Sequence, residues 1–180
     1  FIGGKFVSPK SRKWFASSNP ATNEKLADIA TAGAADVNAA VLAAKKALPK
    51  WSKLPGSERA KYLYRIARRI QERAREFAVL ETIDGGKPIK EFVDIDIPLA
   101  DQHFFYYAGW ADKLQYAFAG RSVQPIGVCG QVSPWNFQLL MASWKLAPAI
   151  ACGNTTVLKP AETTSLTALR LAEVMQEVEL

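Results

Sequence analysis

The sequence predicts an α/β fold in which antiparallel strands and helices lead into a Rossmann-like parallel βαβα unit. Three observations carry this: short turn-punctuated runs at the start, amphipathic helical stretches through the middle, and two apolar strands alternating with two helices at the end. Strands are expected over 1–33, helices over 34–116, a connecting stretch over 117–125 and the βαβα unit over 126–180. With 49% hydrophobic and 22% charged residues in 180, the composition is that of a globular chain.

The opening stretch, "FIGGKFVSPKSRKWFASSNPATNEKLADIATAG", is broken by Gly-Gly, Ser-Pro and Asn-Pro, which predicts two or three antiparallel strands joined by turns. Ala34–Leu48 reads as a helix with Val37, Val41, Ala44 and Leu48 on one face, stopped by Pro49. A longer helix follows Pro55-Gly56-Ser57, with Ser57 as its N-cap. Leu63, Ile66, Ala67, Ile70, Ala74, Phe77 and Ala78 repeat along it at helical spacing, and "DGGKP" ends it. Ile95–Tyr116 reads as a third helix whose "FFYYAGW" packs against the first two. "IGVCGQV" is a continuous apolar run, as for a strand covered on both faces. "QLLMASWKLAPAIACG" follows as a helix ending at Gly153, then "NTTVLKP" as a second strand. "SLTALRLAEVMQEV" is the last helix, with Thr163 or Thr164 as its cap. Strands in such a unit are parallel, with a right-handed crossover.

Charge and cysteine usage narrow the function. The net charge of +6 permits nucleic-acid binding without requiring it. Much of the positive charge lies in "ERAKYLYRIARRIQERAREF", where the arginines face outward beside Glu58, Glu72 and Glu76, a solvated helix face and not a phosphate-binding stripe. No nucleic-acid partner is expected. No apolar run reaches the length of a membrane span, and no signal-peptide pattern is present. Cys129 and Cys152 form no CxxC pair and have no clustered histidines, so no metal is expected. Both read as small buried residues, and a reducing cytoplasm is the default location. His103, the single histidine, is flanked by "FFYY" and reads as a packed residue, not a base.

The chemistry concentrates where the two parallel strands end. After the first comes "SPWN" (Ser133–Asn136), and after the second "KPAE" (Lys159–Glu162). Loops that follow parallel strands emerge at one sheet edge, where α/β proteins bind ligands. Lys159 offers donors and Glu162 acceptors, a pair suited to ribose hydroxyls. A carboxylate there repels a 2′-phosphate, favouring NAD over NADP. GxGxxG is absent, which rules out the standard dinucleotide fingerprint.

"GVCGQVSPWNFQLLMASWKLAPAIACGNTTVLKPAETTSLTAL" resembles the aldehyde dehydrogenase superfamily, and the likeness extends through "FIGGKF", "NPATNEKLADI", the helix pair and "DGGKPIKE". The resemblance implies that Asn136 stabilises the transition state, its side-chain amide donating to the oxyanion formed when a cysteine thiolate attacks an aldehyde. Such a donor must be fixed in advance. It further implies that Val132, Ser133, Pro134, Trp135 and Asn136 line the cofactor groove, with Lys159, Pro160, Ala161 and Glu162 holding the adenosine ribose of NAD. For Trp135, packing remains an equal alternative. Tyr107–Pro125 would lead into the family's oligomerisation hairpin (its start at 117–125), in a homodimer or homotetramer. Departures from the family are Ser133 in place of a larger aliphatic residue, Gln138 in place of Pro, and Asn23 in place of a turn Gly, which Asn tolerates.

"FIGGKF" reads as a start cut from something longer, and "LAEVMQEVEL" stops within an amphipathic helix. By the resemblance, the nucleophilic Cys, the general-base Glu and the nicotinamide loop lie beyond this C-terminus. The expectation is therefore the N-terminal portion of an NAD-dependent aldehyde dehydrogenase, which turns an aldehyde into an acid through a thiohemiacetal and a thioester. A non-catalytic relative serving as an assembly scaffold is the alternative.

Overall fold

Turn chemistry around Asn19-Pro20 builds the first sheet. In the computed structural model, which describes residues Phe1 to Leu180, β1 (Trp14–Ser18) pairs antiparallel with β2 (Lys25–Ala30). Asn19 Oδ1 accepts the Ala21 N–H at 2.9 Å, and Asn23 takes the left-handed φ of 61° foreseen for it. The start of α1 (Ala34–Lys53) is fixed by Asp36, whose two carboxylate oxygens accept the N–H groups of Gly33 and Lys10. Those bonds, Gly33's first, hold its carboxyl below the usual range.

The stop expected at Pro49 does not occur, and α1 runs on to Lys53 with Pro49 inside it. A proline in a helix costs about 3 kcal/mol. Tertiary contacts offset this: Trp51 Nε1 donates to the Ile150 carbonyl at 3.1 Å, and its ring packs edge-on against Tyr62. On the face expected to be buried, Ala44 is buried, Val41 and Leu48 are half-buried, and Val37 is exposed.

The single long helix expected next is two helices. α2 (Gly56–Glu72) ends at Arg73, whose φ of −111° and ψ of 17° leave the helical region, and α3 (Ala74–Gly85) starts afresh. Ser57 is not the N-cap; Pro55 holds that position and gives no side-chain bond. The apolar stripe was legible, since Leu63, Ile66, Ala67, Ile70, Phe77 and Ala78 are all buried and Ala74 is half-buried. One arginine departs from the outward face. Arg59 is buried, its guanidinium donating to the Ala151 carbonyl at 3.0 Å and to the Leu54 carbonyl. It satisfies carbonyls at the C-terminal ends of two other helices. At the end of α3, Gly86 adopts φ 76° and donates to the Thr82 carbonyl, the glycine stop foreseen in "DGGKP".

The aromatic helix begins earlier than expected. A turn α4 (Ile89–Glu91) passes through a π-helical turn (Phe92–Asp96) into α5 (Ile97–Trp110), followed by the short α6 (Leu114–Ala117). Phe104 and Ala108 are buried where α5 packs chiefly on α2 and on α7 (Gln138–Ala151), and α1 is not among its main partners. Tyr107–Trp110 belong to α5, and no strand forms between Phe118 and Gly127.

β3 (Val128–Val132) and β4 (Thr155–Lys159) are parallel, with α7 between them and α8 (Leu166–Glu177) after them. The expectation of a strand buried on both faces fails: β3 is half-buried, with Gly130 and Val132 exposed. In a two-stranded sheet each strand lacks a neighbour on one side. The α1 helix packs against both strands and α7 against β4. The main core lies beside the sheet, where residues of α2, α3, α5, α7 and α8 form one apolar cluster.

Gly56 gives a decisive test of the helix packing. A Cβ there would lie 2.1 Å from the Ala111 carbonyl oxygen, a backbone atom that cannot swing away. Helix propensity alone favours Ala over Gly by about 1 kcal/mol. Overpacking is expected to win, so Gly56→Ala should destabilise by about 1–3 kcal/mol in chemical denaturation.

Candidate functional site

The register of the parallel pair places the two loops side by side. Val132 aligns with Lys159, and the Ser133 N–H donates to the Lys159 carbonyl at 3.1 Å, one step past the ladder. Beyond that point the loops touch again, where the buried Thr164 hydroxyl donates to the Trp135 carbonyl at 3.3 Å. Ser133 is buried, whereas Val132, Pro134, Trp135 and Asn136 are exposed. At 63% exposure Trp135 packs into no core of this chain. The Asn136 side chain makes no hydrogen bond within the chain, so its amide is free to meet a ligand.

Lys159 and Glu162 pair with each other at 2.5 Å, three residues apart and both exposed. The hydrogen bond from Lys159 is the main reason the Glu162 carboxyl lies below its usual range. With Pro160 they line an open, largely apolar cavity of about 970 Å³ that runs along Thr156, Val157 and Leu158 of β4 toward α8. Val132–Asn136 and Ala161 lie outside this lining. The cavity thus joins a sugar-compatible charge pair to an apolar bay, and the Ser133–Asn136 turn stands at the neighbouring loop.

Support for these loops comes from residues outside the motifs. Neither helix of the βαβα unit caps itself: Phe137 before α7 and Ser165 before α8 give no side-chain bond to the helix start. The caps come from α3. Glu81 Oε1 accepts the Leu139 N–H at 2.6 Å, and Asp84 Oδ2 accepts the Leu166 N–H at 3.0 Å. So neither Thr163 nor Thr164 is the cap. Asp84 also accepts the Ser17 hydroxyl at 2.6 Å, which ties β1 to the same point. One signal could have found Glu81: it continues the Ile70–Ala74–Phe77–Ala78 stripe, so a carboxyl stands where the helix pattern calls for an apolar residue. Gln138, where the family commonly has Pro, is buried with its amide against Gly85, whose missing Cβ leaves it room.

Burial raises the Cys152 thiol above its usual range, and both cysteines are half-buried, not fully buried as expected. His103 lies against Trp144 with ring centroids 5.4 Å apart, and burial lowers its pKa.

A parallel βαβ crossover with paired polar loops at its carboxyl edge defines a Rossmann-like α/β protein. The chain belongs to the aldehyde dehydrogenase family, whose model matches residues 6–180. It is 44% identical to the fluoroacetaldehyde dehydrogenase of Streptantibioticus cattleyicolor and 43% identical to retinaldehyde dehydrogenase 3 of Rattus norvegicus, over 99% of this chain in each case. It spans 37% of the length of each of these relatives. The fold is similar to that of the aldehyde dehydrogenase of Bacillus cereus in complex with NAD+, with a TM-score of 0.94 and 40% identity over 100% of this chain and 39% of that one.

Glu81 makes stability depend on pH in a defined direction. Burial is the main cause that lifts its carboxyl to about 8; Asp96 and Asp84 push the same way, while the Leu139 N–H and Lys87 oppose. The folded state therefore holds this proton more tightly than the unfolded chain does. Its stabilisation is complete below pH 4.5, the ordinary value, and is lost as pH rises through about 8. Glu81→Gln should flatten the fall of unfolding free energy across that window, where one group contributes at most about 1.4 kcal/mol per pH unit. An unchanged slope in urea titrations at several pH values would contradict this assignment.

Proposed function

We propose that the intact protein containing this chain is an NAD-dependent aldehyde dehydrogenase and that this chain supplies its ribose-binding pair and its oxyanion donor. The observation that carries the reading is the alignment of the two strand ends, which sets the Asn136 turn beside the Lys159–Glu162 loop. Lys159 and Glu162 suit a ribose: the ammonium donates, the carboxylate accepts, and both line a cavity large enough for a nucleoside. An exposed ion pair is weak, so hydroxyl groups can exchange into it at little cost. The Glu162 carboxylate disfavours a 2′-phosphate, so NAD is the cofactor over NADP. Bound nicotinamide would supply the hydride acceptor.

This chain's own part in the chemistry is electrostatic. Asn136 carries no charge and is engaged by no other side chain, so its N–H groups are available for negative charge that develops on a carbonyl oxygen. Held on a turn whose neighbours are fixed, it needs little reorganisation as that charge appears. The family membership and the NAD+ complex of the Bacillus cereus relative support this assignment.

The segment after α5 supports assembly with further copies. Tyr116, Phe118, Val123 and Ile126 are exposed on a stretch without strand pairing in this chain, and a homodimer or homotetramer would cover them. Two unpaired cysteines fit a reducing compartment such as the cytoplasm.

In the intact enzyme, Asn136→Ala should lower turnover about 10²–10³-fold while NAD affinity by calorimetry stays unchanged. Unaltered turnover would refute the oxyanion role. Independently, Glu162→Gln should raise the efficiency with NADP relative to NAD in steady-state kinetics.

A further inference from the structure

The turn that carries Asn136 is gripped by a partly buried charge cluster that the proposed chemistry leaves unused. Lys87 follows the Gly86 stop of α3 and is half-buried. Its ammonium lies 4.3 Å from the centroid of the Phe137 ring and 5.0 Å from that of Phe92. Asp96, 1% exposed and set inward by the π-helical turn, holds that ammonium at 2.5 Å; Glu91 is 3.5 Å away. The cation is thus fixed by a carboxylate behind it and presses on the ring in front.

Phe137 is the residue next to Asn136, and its φ of −146° and ψ of 66° mark the point where the loop turns into α7. The backbone is pinned on both sides of Asn136. Thr164 holds the Trp135 carbonyl, and beyond the ring of Phe137 the Leu139 N–H is held by Glu81. Asn136 itself has no partner, so its direction is set through these neighbours alone. Two of these contacts fall on residues adjacent to Asn136 in sequence and come from separate elements, Thr164 on Trp135 and Lys87 on Phe137, and the second of them is made through a side chain of Asn136's neighbour.

We propose that Lys87, oriented by Asp96, is a positioning residue for Asn136: its ammonium fixes the Phe137 ring and thereby the aim of the neighbouring amide. This rests on Asn136 being the oxyanion donor, and the test separates the two claims.

Lys87→Met keeps most of the aliphatic stem and removes the charge. In the intact enzyme it should lower turnover about 10- to 100-fold, as for an ångström-scale displacement of a catalytic group. The dissociation constant for NAD and the KM for aldehyde should stay within about twofold, and Lys87→Arg should recover most of the loss. Since Lys87→Met leaves Asp96 buried without its partner, Phe137→Leu serves as a second variant: it removes the ring, leaves the ion pair, and should give the same loss. The decisive measurement is the combination with Asn136→Ala. If Lys87 and Phe137 act through Asn136, either change should add less than about twofold to the loss already caused by Asn136→Ala. A multiplicative loss in the double variants overturns the proposal. So does normal turnover in both Lys87→Met and Phe137→Leu while Asn136→Ala is impaired. Normal turnover in Asn136→Ala overturns the oxyanion reading itself, and this proposal with it.

Discussion

Two carboxyl groups on one helix hold the βαβα unit of this chain in place. Glu81 and Asp84, one turn apart on α3, each accept an N–H group from the first turn of α7 and α8 respectively, the two helices of the βαβα unit. Helix starts expose N–H donors and a partial positive charge, and both must be met by something. Here they are met from a neighbouring helix, so the caps double as joints between the helical layer and the sheet. Arg59 does the complementary work at the other end. It donates to Ala151 at the end of α7 and to Leu54 at the end of α1. Acceptors thus lie at helix starts and a donor at helix ends, with the long-range fold as the source of both.

The loops inherit their rigidity from this arrangement. With capping supplied by α3, positions 133–137 and 160–165 have no duty to close their own helices. Pro134, Trp135 and Asn136 can therefore point outward, and Thr164 can reach across to the Trp135 carbonyl instead of capping α8. Glu81 meets its role as a neutral group at ordinary pH, since its burial disfavours charge. A protonated carboxyl still accepts the Leu139 N–H through one oxygen, at the expense of a weaker interaction with the helix dipole.

What could be read from the sequence was whatever depends on neighbours along the chain. The stripe from Leu63 to Ala78 was legible because apolar residues at helical spacing must share a face, and the Gly86 stop because its left-handed conformation favours glycine. The two loops were legible as partners because parallel strands send their C-terminal ends to one edge. Features set by distant contacts were not. Pro49 sits within α1 because Trp51 is anchored on Ile150, a contact ninety-nine positions away. The cap on α8 was misplaced because Asp84 outcompetes the nearby threonines. The break at Arg73 and the inward turn of Arg59 likewise have no local signal. The half-buried state of β3 depends on how many strands flank it, which a single strand's composition does not encode.

The π-helical turn at Phe92–Asp96 constrains the length of the chain around it. A π turn holds one residue more than an α turn of the same span, and that extra residue rotates all that precedes it about the axis by roughly 100°. With it, Phe92 and Asp96 both face inward toward Lys87 while Phe104 and Ala108 keep their place against α2. Removing a residue here would restore a regular helix and swing either the carboxylate or the aromatic face out of register. Substitutions along this segment are therefore easier to absorb than a deletion of one position, and the spacing between Gly86 and Ala111 is as much a part of the design as the residues that fill it.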